Sequence, residues 1–170
     1  MDFKSFIRDV PDFPKEGIIF KDITLLLQNP KALNETANAL YDLLDGQNIN
    51  KVVAMESRGF VFGPLLAQKL GAGFVPVRKP GKLPSATLSE TYNLEYGTDT
   101  LEIHTDSIQK GDKVLVHDDV LATGGTAKAT CNLIERLGGE IVQCNFLIEL
   151  TFLKGSSKIN DYAIKSLVKY

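Results

Sequence analysis

Apolar positions recur along the chain in two rhythms. Short, largely apolar runs occur at KVVAM (51–55), GFVPV (73–77), KVLVHDD (113–119) and IVQCNFLIEL (141–150). Runs of this length with β-branched residues predict buried strands. Between them the spacing becomes helical. Leu33, Ala37, Leu40, Tyr41 and Leu44 follow Pro30 and end at Gly46. Gly59 to Leu70 is stopped by Gly71, and Ala127, Cys131, Ile134 and Leu137 are stopped by Gly138-Gly139. Strands alternating with helices predict an α/β fold, a mostly parallel twisted sheet flanked by helices.

Two stretches break the rhythm. Residues 1–30, punctuated by Pro11, Pro14, Gly17 and Pro30, read as irregular. Residues 80–112 open with the turn-rich PGKLPSAT and continue as TYNLEYGTDTLEIH, two strands around Tyr96-Gly97-Thr98-Asp99. The expected form is an antiparallel excursion beside the sheet, with 80–90 mobile. A loop this long in a compact domain is more often functional than decorative. The first 30 residues and the segment after 150 are expected to form a small lid over the carboxyl edge of the strands, where open α/β sheets bind ligands.

Composition narrows the classes. At 170 residues and 44% hydrophobic, the chain suits one domain and is short for two. A net charge of −2 gives no overall attraction to nucleic acid or an acidic membrane. The start, MDFKSFIRDV, has acids and no long apolar segment, unlike a signal peptide. No apolar run approaches the roughly 18 residues of a membrane span. Cys131 and Cys144 read as small buried thiols of a reducing compartment rather than a disulfide. The expectation is a soluble cytoplasmic protein.

The chemistry concentrates in VLVHDDVLATGGTAKA (114–129). An apolar strand ends in Asp118-Asp119, and Thr123-Gly124-Gly125-Thr126 then opens a helix. There is no G-x-x-x-x-G-K-[ST] and no G-x-G-x-x-G in the chain. Glycines still let the backbone wrap an anion, with N–H groups and two hydroxyls aimed at it. A plain turn capped by Thr126 would need neither both acids nor both threonines. The carboxylates lie upstream, where they can accept from vicinal ribose hydroxyls or hold Mg²⁺. The ligand that spans both features is a ribose 5-phosphate.

A second strand-to-helix junction, Glu56-Ser57-Arg58-Gly59, can also present N–H groups, and Arg58 adds a fork suited to phosphate. The duller reading pairs Arg58 with Glu56. Arg78, Lys79 and Lys82 gather cations around the expected loop. Alone they would be a solvated surface run. His117 reads as a half-buried strand histidine without a metal role, since His104 is the only other histidine.

VLVHDDVLATGGT resembles the phosphoribosyl pyrophosphate signature of the type I phosphoribosyltransferases. FPKEGIIFKDIT (13–24), ESRGFVFGPLLAQKLG (56–71), VRKPGKLPSAT (77–87), NLEYGTDTLEIH (93–104) and IELTFLKG (148–155) resemble the members that act on adenine, in order and spacing. The resemblance implies transfer of the 5-phosphoribosyl group from phosphoribosyl pyrophosphate to adenine, giving AMP and pyrophosphate. It implies ribose 5-phosphate at Ala122, Thr123, Gly124, Gly125 and Thr126, with Asp118 and Asp119 catalytic. Glu56, Ser57, Arg58, Arg78, Lys79, Lys82 and Tyr96 would hold pyrophosphate. Ile19, Phe20, Lys21 and Leu150 would contact adenine, and Glu95 would serve as acid/base at the purine. Mg²⁺ would be held mainly through the substrate, with Asp118 and Asp119 as the candidates for direct contact. A homodimer is implied, without nucleic-acid or membrane partners. The alternatives are a phosphoribosyltransferase for another purine and a regulator that senses phosphoribosyl pyrophosphate. Two departures stand out: His117 replaces a usual aliphatic residue, and Glu56 replaces a common Asp.

Overall fold

The computed structural model describes residues 1–94 and 97–170. The chain divides into two compact units, 1–39 and 40–170.

The first unit holds more order than its punctuation suggests. Strands β1 (Arg8–Pro11) and β2 (Ile19–Asp22) pair antiparallel, with Val10 opposite Phe20. The prolines and glycine mark only the loop between them, where the Gly17 N–H donates to the Asp12 carboxylate at 2.8 Å. Four-residue strands are too short to impose a period, so the irregular reading of 1–30 is corrected here. Helix α1 (Thr24–Gln28) follows, its first N–H taken by the Asp22 carboxylate. Helix α2 (Pro30–Asp42) starts with proline, whose missing N–H costs nothing there, and Asn29 caps it by accepting from the Ala32 N–H.

The second unit carries β3 (Lys51–Met55), α3 (Gly59–Leu70), β4 (Gly73–Val77), β5 (Thr87–Asn93), β6 (Thr98–His104), β7 (Lys113–Leu121), α4 (Gly125–Arg136), β8 (Glu140–Glu149) and β9 (Ile164–Lys169). Five strands form one parallel sheet in the order β4-β3-β7-β8-β9. Four of them match the apolar runs. The fifth, β9, lies in the segment after 150. Its sequence IKSLVK mixes polar and apolar residues, as an edge strand can, and no apolar run announces it. Strands β5 and β6 form the separate antiparallel hairpin, so residues 87–90 of the expected loop are paired strand.

The central strands are buried on both faces. Val53, Val114, Val116 and Phe146 share one cluster with Ala127, Cys131 and Ile134 of α4 and with Leu101 and Ile103 of β6. His117 faces Phe62 of α3 on the other side. Cys131 and Cys144 are fully buried free thiols, 3.8 Å apart. The chain runs from β3 outward to β4, then returns to place β7 on the other side of β3. The carboxyl ends of β3 and β7 therefore flank a topological switch point, where open α/β sheets bind ligands.

Candidate functional site

Both acids stand near the end of β7, where the strand leaves the sheet toward the crevice. Asp119 is buried and Asp118 is partly open to the cleft. The Asp118 carboxylate accepts from the Asp119 N–H at 2.9 Å. Burial first, and then the charge of Asp119, push the Asp118 carboxyl well above the usual range. Burial also raises Asp119, opposed by the Arg58 guanidinium. Arg58 Nε lies 2.6 Å from Asp119 Oδ2, an ion pair whose geometry does not make a hydrogen bond.

The glycine turn follows. Gly124 sits in the left-handed region at φ +78 and precedes α4 without any side-chain cap. Thr126 is therefore not a cap, and its hydroxyl meets the Tyr92 hydroxyl at 3.0 Å instead. A Cβ on Gly124 would overlap the Gly155 carbonyl oxygen, and a Cβ on Gly155 would overlap that of Ala122. A cavity of 70 Å³ opens at this turn, lined by Asp118, Ala122, Thr123, Gly124, Thr126 and Phe146.

The second junction is built from charges. Glu56 accepts from the Lys79 N–H at 2.6 Å and from Arg78 Nε at 3.2 Å. The expected Arg58–Glu56 alternative is therefore replaced: Arg58 pairs with Asp119, and Glu56 pairs with Arg78. Gly59 opens α3 so close to β7 that a Cβ there would lie 3.0 Å from Asp118 Oδ1. Lys79 Nζ forms an ion pair with Asp99 on β6. Burial resists ionisation of Asp99, yet the Lys79 ammonium and the Thr100 N–H hold its carboxyl below the usual range. Tyr92 on β5 donates to the same Asp99 oxygen at 3.3 Å, and its phenol is raised chiefly by burial.

These groups line one cleft of 530 Å³ within the second unit. It brings together Glu56, Ser57, Arg58, Lys79, Asp118, Asp119, Ala122 and Thr126. Thr123 and Gly124 line the smaller cavity, and Gly125 packs under the Tyr92 ring. Arg78 turns to Glu56 and lies over the Phe60 ring, while Lys82 is exposed in the turn before β5. Ile19, Phe20 and Lys21 lie on β2 in the first unit, with Lys21 paired to Asp9. Leu150 follows β8, its N–H donating to the Leu121 carbonyl. Glu95 and Tyr96 lie outside the described residues.

Tyr92 and Asp99 were not singled out by sequence. They are direct cross-strand partners in the β5–β6 register, so their side chains share a face. That register was the available signal. His117 is fully buried rather than half-buried. Its Nδ1 meets Asn145 Oδ1 at 2.7 Å, its Nε2 has no hydrogen-bond partner among the described residues, and burial lowers its pKa to about 4. Among the described residues, no group of three His, Cys, Asp or Glu could hold a metal. Nor is any of their helices long and apolar enough to cross a membrane.

Comparison with known proteins accords with this geometry. The phosphoribosyl transferase domain model matches residues 22–169. An adenine phosphoribosyltransferase of Flavobacterium johnsoniae is 62% identical over 170 residues, covering 100% of both chains. One from Geobacter metallireducens is 57% identical over 99% of both. The crystal structure of adenine phosphoribosyltransferase from Thermoanaerobacter pseudethanolicus superposes with a TM-score of 0.97 at 53% identity, covering 99% of this chain and 98% of that one. The Saccharomyces cerevisiae enzyme, crystallised with an imino-altritol bisphosphate and adenine, gives 0.91 at 42% identity, over 97% and 96%. The chain belongs to the phosphoribosyltransferase family.

Proposed function

We infer that this protein transfers the 5-phosphoribosyl group from phosphoribosyl pyrophosphate to adenine, yielding AMP and pyrophosphate. The observation that carries the reading is one cleft in which the glycine turn, the adjacent carboxylates Asp118 and Asp119, Arg58 and Lys79 converge. Full-length relatives named for this activity support it.

In this reading, adenine N9 attacks C1′ as the bond from C1′ to pyrophosphate oxygen breaks. Positive charge builds on the sugar and negative charge on the leaving group. Asp118 and Asp119 accept from the ribose hydroxyls, and their charge favours the cationic sugar. Ala122 to Thr126 hold the unreacting 5′-phosphate, so its binding energy orients C1′. Ser57, Arg58 and Lys79 take the departing pyrophosphate, with Glu56, Arg78, Lys82 and Tyr96 shaping that side. Glu95 serves as acid/base for the purine proton at N7 or N9. The adenine contacts are assigned to Ile19, Phe20, Lys21 and Leu150.

The donor set fits Mg²⁺ held mainly by substrate oxygens and water. Of the four carboxylates that line the cleft among the described residues, Glu56, Asp99 and Asp119 are each already paired with a cation, which leaves Asp118. When bound, the ion neutralises charge on the pyrophosphate. The reading includes a homodimer and a cytoplasmic location, the latter supported by two free thiols in contact.

The test is direct. The protein is mixed with phosphoribosyl pyrophosphate, Mg²⁺ and each purine in turn, and nucleotide is measured. AMP should form, with hypoxanthine disfavoured about 30- to 10⁴-fold in kcat/KM, since a 6-oxopurine reverses two hydrogen-bond polarities. Comparable use of both bases would overturn the adenine assignment.

A further inference from the structure

Four side chains form a chain across the cleft. Thr126 Oγ1 meets the Tyr92 hydroxyl, Tyr92 donates to Asp99 Oδ2, and the same oxygen holds Lys79. Thr126 belongs to the glycine turn and Lys79 to the opposite, cationic side. The two middle members sit on a separate hairpin, and the roles proposed above give them no task.

Each hydroxyl carries one proton. If Thr126 gives its proton to a phosphate, its oxygen is free to accept, and Tyr92 can turn its own proton there. Asp99 Oδ2 is then left to Lys79, while Oδ1 keeps the Thr100 N–H. If instead Lys79 is drawn away to a diphosphate, Asp99 keeps the Tyr92 proton, and Tyr92 accepts only from Thr126. Thr126 then has nothing to donate to a phosphate. The two ends of the chain compete for one set of protons.

We propose that Tyr92 and Asp99 are positioning residues that make occupation of the 5′-phosphate turn and of the pyrophosphate side mutually antagonistic. This inference rests on the reading of the cleft as a phosphoribosyl pyrophosphate site. In the substrate the two phosphate ends belong to one molecule, so antagonism is outweighed by the covalent link. After transfer they belong to two molecules, and the antagonism helps both to leave.

Coupling between sites is reciprocal, so one titration measures it. Pyrophosphate with Mg²⁺ is titrated into the intact protein, with and without saturating ribose 5-phosphate. The ratio of the two dissociation constants contains the direct repulsion of the ligands plus the contribution of the chain. Tyr92→Phe removes the shared proton, and Asp99→Asn removes the hold on Lys79. Each variant should shrink the ratio by about fivefold, the worth of one hydrogen bond. A purely structural role would move both dissociation constants and leave their ratio unchanged. An unchanged ratio in both variants overturns the inference while the reading of the site stands. Failure of pyrophosphate to bind the unmodified protein overturns both.

Discussion

Two turns open helices onto the cleft, and they are made differently. The turn before α4 is neutral: a left-handed glycine, backbone N–H groups and a threonine hydroxyl. The turn before α3 is flanked by ions, and each cleft cation already has an internal carboxylate, Asp119 for Arg58 and Asp99 for Lys79. The neutral turn faces the group proposed to stay bound and unreacted. The ionic side faces the group proposed to depart. A fixed, uncharged cradle suits a handle. A set of cations with ready substitutes suits an anion that must arrive and then go.

The sharpest way to break this comparison is at the acids shared by both sides. Asp118→Asn combined with Asp119→Asn should leave the fold intact and reduce kcat by at least about 10³-fold. Steady-state turnover beside a circular-dichroism melt measures both, and near-normal turnover would remove the carboxylates from the mechanism.

The glycines probe the two turns separately. Gly124→Ala forces a left-handed alanine against the Gly155 carbonyl and should cost about 2–5 kcal/mol. Gly59→Ala sits in a helix, where alanine gains up to about 1 kcal/mol, so its stability should change little. Its Cβ presses on Asp118 instead, so kcat should fall. Urea melts with turnover on both variants decide the matter, and equal stability losses would mean the turns are alike.

His117 is buried on β7, next to Asp118. Burial keeps it neutral, with a folded pKa of about 4. The unfolded chain therefore binds more protons below about pH 6.5, and stability should be lost as pH falls from there toward 4. The loss should reach about 3 kcal/mol. Replacing His117 and Asn145 together by leucine should flatten the slope in urea melts at pH 7, 5.5 and 4.5.

The smallest effect concerns Asp118 alone. Burial raises its folded pKa, so the folded state binds that proton more tightly than the unfolded chain. Stability is then lost as pH rises from the ordinary carboxylate range through the raised value. Asp118→Asn should melt higher at pH 7, by about 2–4 °C for each 1 kcal/mol regained. A lower melting temperature would mean that the carboxylate stabilises the fold.

The β7–α4 junction was legible because its signals are local: an apolar run, two acids and a glycine pair, each with its own conformational meaning. The burial of β3, β7 and β8 was legible as short, largely apolar runs. The ribbon β1–β2 and the edge strand β9 were not, because pairing across a loop, rather than period, defines them. Arg58 and Glu56 are neighbours in sequence, yet each finds its partner elsewhere in the fold. Tyr92 and Asp99 look like ordinary hairpin residues until the register sets them opposite one another.

Gly124 and Gly155 lie 31 positions apart in sequence and touch without side chains. For anyone diversifying this chain in the laboratory, they form a single mutational unit. Gly124 cannot acquire a side chain while the Gly155 carbonyl stays where it is, nor Gly155 while the Ala122 carbonyl does. Changes aimed at Leu150, proposed above to contact the base, fall only five positions before Gly155, on the same short connection. Libraries that vary this connection will therefore disturb the turn proposed to hold the 5′-phosphate whenever they shift the 155 carbonyl. Selections that score only survival will enrich variants that leave it in place.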